Sequence, residues 1–472
     1  MADPAGGYDV AIVGAGVVGA AIARELAHYR LTCALLEASP DVGAGTSKAN
    51  TAIWHTGFDA KPGSLEARLV RRGHQLLAEQ APALGVPLER TGALLVAWDP
   101  EQLAALPGIR ARAAANGYTE VRPLPVEELY QLEPGLGPGA LGALQIPGEG
   151  ILCPWTLPLA LATEAVAGGV ELRLETLVTG VAPGPGGEHE LATPAGPVRA
   201  RWVVNAAGLR ADEVDRMFGH AGFTVTPRRG QLVVFDKLAR PLLRHVLLPV
   251  PTATTKGVLV APTVYGNVLL GPTAEDLGDK SDTASTAGGL AGLLDKGARI
   301  LPGLLAEEVT AVYAGLRAAT EHSDYQIAVH GGQRYACVGG IRSTGLSASL
   351  AIAEHVAGEL GRAGLRPEPR PHVERVRMPN IGEAFPRPYR SPAAIAANPD
   401  YGRIVCHCER VSRGELLDAA VSTIPPRDLD GLRRRTRALL GRCQGFYCLA
   451  EVASLFAEAT GRTVADVLRV PR

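Results

Sequence analysis

Residues Tyr8–Val13 (YDVAIV) are predominantly apolar and predict a short buried strand. Gly14-Ala-Gly16-Val-Val-Gly19 follows and opens a helical pattern that runs to His28. A second strand, Leu31–Leu36, ends on Glu37. Gly230–Phe235, Val258–Pro262 and Asn267–Gly271 are separated by turn residues and read as strands of a β-rich unit. Tyr335–Gly345 reads as a strand, a glycine pair and the start of a helix that continues to Leu360. Residues 367–399 interrupt the pattern with eight prolines, which marks a linker or a segment draped in extended form rather than a core element. Beyond them Ser412 and Glu415 form a capping-box pattern at a helix start, and another apolar-periodic helix runs from Cys448 through Phe456.

A chain of 472 residues is long enough for two or three domains, and 46% hydrophobic residues supply their cores. The 47 basic and 48 acidic residues nearly cancel, so no global field draws the protein to nucleic acid or to an anionic membrane. No apolar run reaches the roughly 18 residues of a membrane span. The longest candidate, Trp155–Ala167, is broken by Pro158 and Glu164. Met1–Gly7 has an aspartate and no basic cluster, so it does not read as a secretory signal and a cytoplasmic protein is expected. Peripheral attachment at the inner membrane through a partner stays open.

The first chemistry lies in the βαβ unit. Gly14 permits a tight turn, Gly16 lets backbone approach a pyrophosphate, and Gly19 allows helix to pack on strand. Phosphates would sit on the helix N-terminus, and Glu37 would accept hydrogen bonds from a ribose diol. The alternative is a glycine-rich turn that binds nothing. Three further stretches favour FAD over NAD. Pro40–Thr51 is a polar, glycine-rich loop suited to wrapping a large cofactor, with Thr46, Ser47 and Asn50 as candidate contacts. Ala200–Gly208 is a strand ending in small residues, Ala207 and Gly208 among them. Gly340, Gly345, Leu346 and Ser347 mark the late helix N-terminus, which could stabilise negative charge on a reduced flavin. Val178 completes the expected cofactor set.

Cys406-His-Cys408 and, 34 residues on, Cys443-Gln-Gly-Phe-Tyr-Cys448 give the strongest metal signal. Two thiolate pairs select zinc or an iron–sulfur cluster, and the single-residue gap leans toward a cluster whose ligands straddle two irons. Cys33, Cys153 and Cys337 lie in apolar strand contexts and read as core cysteines. Between the pairs, residues 427–442 carry six arginines against two aspartates. They are either a solvated helix face or a cationic surface that offsets the cluster and docks an acidic partner.

The motifs GAGVVG (14–19), TSKANTAIWHTGFDAKPG (46–63), VVNAAG (203–208), PTVYGNVLLGPTAE (262–275), YAGLRA (313–318) and GGIRSTGLSAS (339–349) occur together and in order. With them the chain resembles the FAD-dependent D-amino-acid-oxidase-like superfamily. The likeness is strongest to its glycerol-3-phosphate dehydrogenase branch with a C-terminal iron–sulfur module. CHCERVS and GRCQGFYC resemble a bacterioferritin-associated-ferredoxin-like [2Fe–2S] domain. The resemblance implies an α/β fold. A Rossmann-like FAD-binding domain would be assembled from 1–90, 151–215 and 326–365. A β-rich α+β substrate domain would comprise 91–150 and 216–325. A proline-rich linker over 366–400 would lead to a small, mostly helical iron–sulfur domain at 401–472.

The resemblance also implies a dehydrogenase that oxidises a small anionic alcohol, glycerol 3-phosphate or a 2-hydroxy acid, by hydride transfer to FAD. Electrons would leave through the cluster to an electron-accepting protein subunit, which leaves a hetero-oligomer open. His55 would be the general base and Arg317 the anion-binding fork, with Lys256, Arg229 and Arg342 as lesser anion-binding candidates. The segment His55-Thr-Gly-Phe-Asp59 lacks the nearby arginine usual in glycerol-3-phosphate dehydrogenases and presents an acid instead. An amine or amino-acid dehydrogenase subunit of opine or proline type, or a non-catalytic electron-transfer subunit, are the alternatives.

Overall fold

The computed structural model describes residues 7–251, 257–366, 368–383 and 385–469. The strand Tyr8–Val13 pairs in parallel with Cys33–Leu36 on one side and Val198–Asn205 on the other. Glu171–Arg173 and Tyr335–Gly339 extend the parallel array outward. Three antiparallel strands, Gly180–Pro183, His189–Ala192 and Gln326–His330, complete an eight-stranded sheet. Parallel strands are joined by crossovers that cover them, so they read as nearly continuous apolar runs. The helices Val17–Leu26, Thr156–Ala167, Gly345–Arg362 and Leu65–Leu84 share one apolar core with these strands. This is the α/β architecture expected, gathered from separated stretches of chain.

The first helix stops at Leu26 and the second strand begins at Cys33, both short of expectation. The intervening backbone is diverted to the proline-rich segment. Arg30 N–H donates to the Glu368 carbonyl and Arg370 N–H to that of His28, each at 2.7 Å.

A nine-stranded sheet forms the second layer, and the expected strands appear as Thr226–Phe235, which is longer than expected, and Leu259–Pro262 and Val268–Gly271, each one residue shorter. Val309–Ala319 runs antiparallel along nearly the whole of Thr226–Phe235. A small third sheet pairs Ile53–Trp54 and Leu88–Glu89 with Gly150–Leu152. Its register sets Trp54 opposite Gly150, and so brings His55 beside Glu149.

The segment 368–399 is draped over both layers, yet it is not wholly peripheral. Ile381 is buried in the core of the second sheet, and buried Arg387 holds Glu415 of the C-terminal module at 2.6 Å. That module consists of a hairpin, Ile404–Cys406 with Val411–Ser412, and four helices, Arg413–Ala420, Leu429–Thr436, Leu449–Thr460 and Val464–Leu468. Val405, Leu416, Leu432, Val452 and Phe456 fill its core. The capping box at Ser412 and Glu415 forms as expected.

Half of the arginine-rich stretch departs from its expected roles, while Arg427, Arg433 and Arg442 keep side-chain exposures above 40%. Arg434, Arg435 and Arg437 are buried, and their carboxylate partners belong to this same chain: Asp41, Glu409 and Asp430. Among the described residues no helix is long and apolar enough to cross a membrane.

Candidate active site

The dinucleotide turn is built by backbone against backbone. Gly14 has φ +102°, and a Cβ there would lie 2.5 Å from the Ala206 carbonyl oxygen. A Cβ on Gly19 would lie 1.8 Å from the carbonyl oxygen of Gly14. Only glycine fits either place. Gly16 is the extended N-cap of the helix, and an added Cβ would meet only the Ser47 hydroxyl, at 3.3 Å. That hydroxyl already accepts the Val17 N–H at 3.0 Å. Glu37 braces the turn, its two oxygens accepting the N–H groups of Ala15 and Ser39 at 2.8 Å each. A carboxylate oxygen has a second lone pair, so this bracing leaves capacity for a ribose hydroxyl.

The loop after Glu37 is tied to the second sheet. The Thr46 hydroxyl donates to the Leu316 carbonyl at 2.8 Å, and the Tyr313 hydroxyl donates to the Asn50 carbonyl at 2.8 Å. Asn50 Nδ2 donates to the Ser47 carbonyl at 2.8 Å. Ala207 N–H is held by the Asn205 side chain at 3.2 Å, Gly208 has φ +57°, and Val178 is buried. Gly340, with φ +67°, precedes the helix that starts with Gly345, Leu346 and Ser347. Thr344 does not cap that helix; its hydroxyl donates instead to Glu66 at 2.8 Å. A glycine cradle that any side chain would fill, an acid at a strand end and an uncapped helix N-terminus fit a flavin dinucleotide.

His55 is fixed on three sides. Its N–H donates to Ser347 Oγ at 2.8 Å, and its carbonyl is contacted by His74 Nδ1 at 3.1 Å. Its own Nδ1 lies 3.0 Å from Glu149 Oε2. The other carboxylate oxygen of Glu149 accepts the Thr56 N–H at 2.6 Å and the Thr56 hydroxyl at 2.8 Å. A carboxylate only accepts, so it holds the ring proton on Nδ1 and leaves Nε2 as the basic nitrogen. Glu149 is fully buried whereas the His55 side chain keeps 21% exposure, so the pair has one dry end and one accessible end. His74 is of a different kind: burial pushes it down to about 4, and it stacks on Trp54 at 3.9 Å. Sequence reasoning missed Glu149, which stands 94 residues from His55 in an unremarkable Pro-Gly-Glu-Gly turn.

Arg317 lies on the long strand Val309–Ala319, one residue beyond the Leu316 carbonyl that holds Thr46. Its Nη2 donates to the Thr273 carbonyl at 2.6 Å. Among the described residues it forms no salt bridge. Burial, with the Arg228 guanidinium nearby, lowers it to about 10, which still leaves it a cation at any working pH. The same strand approaches the cofactor loop closely: a Cβ on Gly315 would lie 1.9 Å from the Ala49 carbonyl oxygen. Arg229, by contrast, is spent on Glu275 at 2.7 Å and Asp282 at 3.0 Å, which removes it as an anion-binding candidate. Arg342 donates to the Ser323 carbonyl at 3.0 Å, and Lys256 lies outside the described residues.

In the C-terminal module the four cysteines act on one another most strongly in two pairs, Cys406 with Cys448 and Cys408 with Cys443. The first pair is buried and the second half-buried. The neighbouring Cys448 thiol, with the N–H groups of Glu409 and Leu439, holds the Cys406 thiol below its ordinary value. Among the described residues no three His, Cys, Asp or Glu side chains are grouped for a single metal ion. Two pairs suit a two-iron cluster, in which each iron takes two thiolates.

Residues 9–359 match the model of the FAD dependent oxidoreductase family (DAO), and residues 404–458 match that of the BFD-like [2Fe-2S] binding domain. The chain is 35% identical over 464 residues to a glycerol 3-phosphate dehydrogenase of Caloramator mitchellensis, covering 98% of this chain and 96% of that one. It is 30% identical over 285 residues to the mitochondrial L-2-hydroxyglutarate dehydrogenase of Caenorhabditis elegans, covering 57% of this chain and 63% of that one. The structure superposes on FAD-bound, dithionite-reduced L-α-glycerophosphate oxidase from Mycoplasma pneumoniae with a TM-score of 0.75 at 30% identity, covering 79% of this chain and 99% of that one. This chain belongs to the FAD-dependent oxidoreductase (DAO) family, and it carries in addition a C-terminal BFD-like [2Fe–2S] binding domain.

Proposed function

We propose that the protein is a dehydrogenase of glycerol 3-phosphate. The observation that carries the reading is Arg317, a half-buried guanidinium beside the cofactor loop whose hydrogen-bond partner is a carbonyl, the carboxylate that acts on it, Asp276, being bonded by Arg228. Such a group is short of an anion, and its planar fork suits a phosphate or a carboxylate. The full-length likeness to a glycerol 3-phosphate dehydrogenase, across both modules, favours the phosphate. His55 Nε2 takes the hydroxyl proton of the substrate while Glu149 steadies the resulting imidazolium, a division of labour that needs the Nδ1 proton held as it is here. FAD, when bound, supplies the two-electron acceptor. Gly14, Gly16, Gly19 and Glu37 hold it in this reading, with Thr46, Ser47, Asn50, Val178, Ala207, Gly208, Gly340, Gly345, Leu346 and Ser347. Cys406, Cys408, Cys443 and Cys448 hold the cluster, through which electrons pass to a protein acceptor in the cytoplasm.

A 2-hydroxy acid is the second reading, favoured because Arg228 is consumed by Asp276 and Arg229 by Glu275 and Asp282, so that neither cation of that strand is left to join Arg317 on a phosphate. An anaerobic panel of glycerol 3-phosphate, 2-hydroxy acids and imino acids, followed by flavin absorbance, separates the two. Bleaching by glycerol 3-phosphate at the lowest concentration is expected, and bleaching by imino acids alone would reject both readings.

A further inference from the structure

We propose that the C-terminal iron–sulfur module is part of the apparatus that retains FAD, because its helix Leu429–Thr436 clamps the cofactor loop through Arg434 and Arg435 on Asp41. Asp41 stands four residues after Glu37, inside the loop that runs past the dinucleotide turn. Its side chain is 2% exposed. Arg435 grips it with a two-pronged fork, Nη1 on Oδ2 and Nη2 on Oδ1, both at 2.7 Å. Arg434 Nη2 adds a third bond to Oδ2 at 2.6 Å. The excess positive charge is not left over, since Arg434 also pairs with Asp430.

From Asp41 the hold passes to the cofactor turn in two steps. Asp41 Oδ1 accepts the Val42 N–H at 2.9 Å, and Gly43 N–H donates to the Ala15 carbonyl at 2.9 Å, inside the GxGxxG turn. The far end of the loop is held from the same module. Lys48 Nζ meets Asp430 at 3.3 Å. Trp155 Nε1 donates to the Lys48 carbonyl at 3.0 Å, and Arg437 lies over the Tyr265 ring at 4.2 Å and the Trp155 ring at 5.7 Å. A loop fastened at both ends from outside opens less often, and a dinucleotide beneath it leaves only when it opens. Asp41, Arg434 and Arg435 are therefore positioning residues for the flavin, though none need touch it.

The test measures FAD release from the full-length protein with both cofactors, as flavin fluorescence recovered on dilution. Iron and sulfide content is assayed on the same samples. Arg435→Ala and Asp41→Ala are each expected to release FAD about tenfold faster with the cluster content unchanged, because each breaks a buried ion pair from one side. The double variant should be no faster than the faster single variant, since both remove one interaction. Release within twofold of wild type in both single variants, or additive effects in the double, would overturn the proposal. Should Arg435→Ala lose its cluster, Asp41→Asn serves instead: it removes the charge from the cofactor loop, leaves every residue of the iron–sulfur module in place, and a wild-type release rate there overturns the proposal as well. The inference rests on the cofactor residues assigned above. Gly16→Val tests those separately, since a Gly16→Val protein that keeps its full FAD would refute that assignment and leave the clamp measurements standing.

Discussion

Arg317 and Arg435 are both guanidiniums drawn out of water, and they are treated in opposite ways. Arg435 closes its fork on Asp41 and gives its remaining donors to the Ile424 and Gly431 carbonyls. Burial alone would raise the Asp41 carboxyl, but the hydrogen bond and charge of Arg435, with those of Arg434, outweigh it and hold the group below the ordinary carboxylate range. Arg317 has the Thr273 carbonyl, no salt bridge among the described residues, and a burial that lowers it. A buried cation saturated by a carboxylate joins parts of the fold. One left with a carbonyl is prepared for a charge that arrives from outside. Arg229 shows how much the partner decides, for in the sequence it is a lesser candidate for the same role as Arg317 and in the fold it belongs with Arg435.

The His55–Glu149 pair combines both treatments, a buried carboxylate whose partner keeps an accessible face, and it is where the largest effect is expected. Glu149→Gln retains the size and the acceptor for Thr56, but its amide can donate to Nδ1 and so reverse the imidazole tautomer. Flavin reduction by substrate in anaerobic stopped flow should slow by about 10²-fold or more, the scale of losing a positioned general base, with FAD content unchanged. A rate within a few fold of wild type would show that Glu149 serves the fold alone.

The contrast between the arginines gives a smaller, two-sided prediction. Arg317→Lys keeps the charge and loses the fork, so the KM for the anionic substrate should rise about tenfold. Arg229→Lys should leave that KM unchanged, because its neighbours Glu275 and Asp282 already fill its donors. Steady-state kinetics on the two variants sharpen the comparison if they part in this way and break it if they do not.

What could be read from the sequence follows from how local each signal is. Gly14, Gly16, Gly19 and Glu37 lie within one βαβ unit, and the turn they imply is formed. Ser412 and Glu415 are three residues apart, and their capping box is present. The paired cysteines announce themselves by spacing. Glu149 could not be found, because what selects it is the register of a two-residue strand against Gly150–Leu152. The arginine surplus at 427–442 was visible as charge, but its chief partner, Asp41, is 394 residues from Arg435, and one aspartate among many carries no mark. The proline-rich segment misleads in a similar way: composition describes it as a linker, while Ile381 and Arg387 each find a buried place that only the assembled layers create.

The smallest effect expected is also the one that shows which charges carry the docking of the two modules. Among the described residues five interdomain pairs are open to solvent on at least one side: Lys48–Asp430, Lys237–Glu409, Arg427–Glu175, Arg442–Asp236 and Arg442–Glu308. The Asp41 clamp is not, with side-chain exposures of 2% for Asp41, 8% for Arg434 and 5% for Arg435. Raising the salt from 0.15 M to 1 M shortens the screening length from about 8 Å to about 3 Å, which weakens exposed pairs and scarcely touches buried ones. FAD release should therefore change by less than about twofold across that range, as expected when exposed pairs contribute little. Acceleration by salt to the rate of Arg435→Ala would move the docking to the exposed pairs and leave Asp41 a bystander. The same salt series, followed through KM, should act in the other direction at Arg317. Its ligand is a mobile anion from solution, and a competing anion such as sulfate has the charge and the oxygen geometry to take its place.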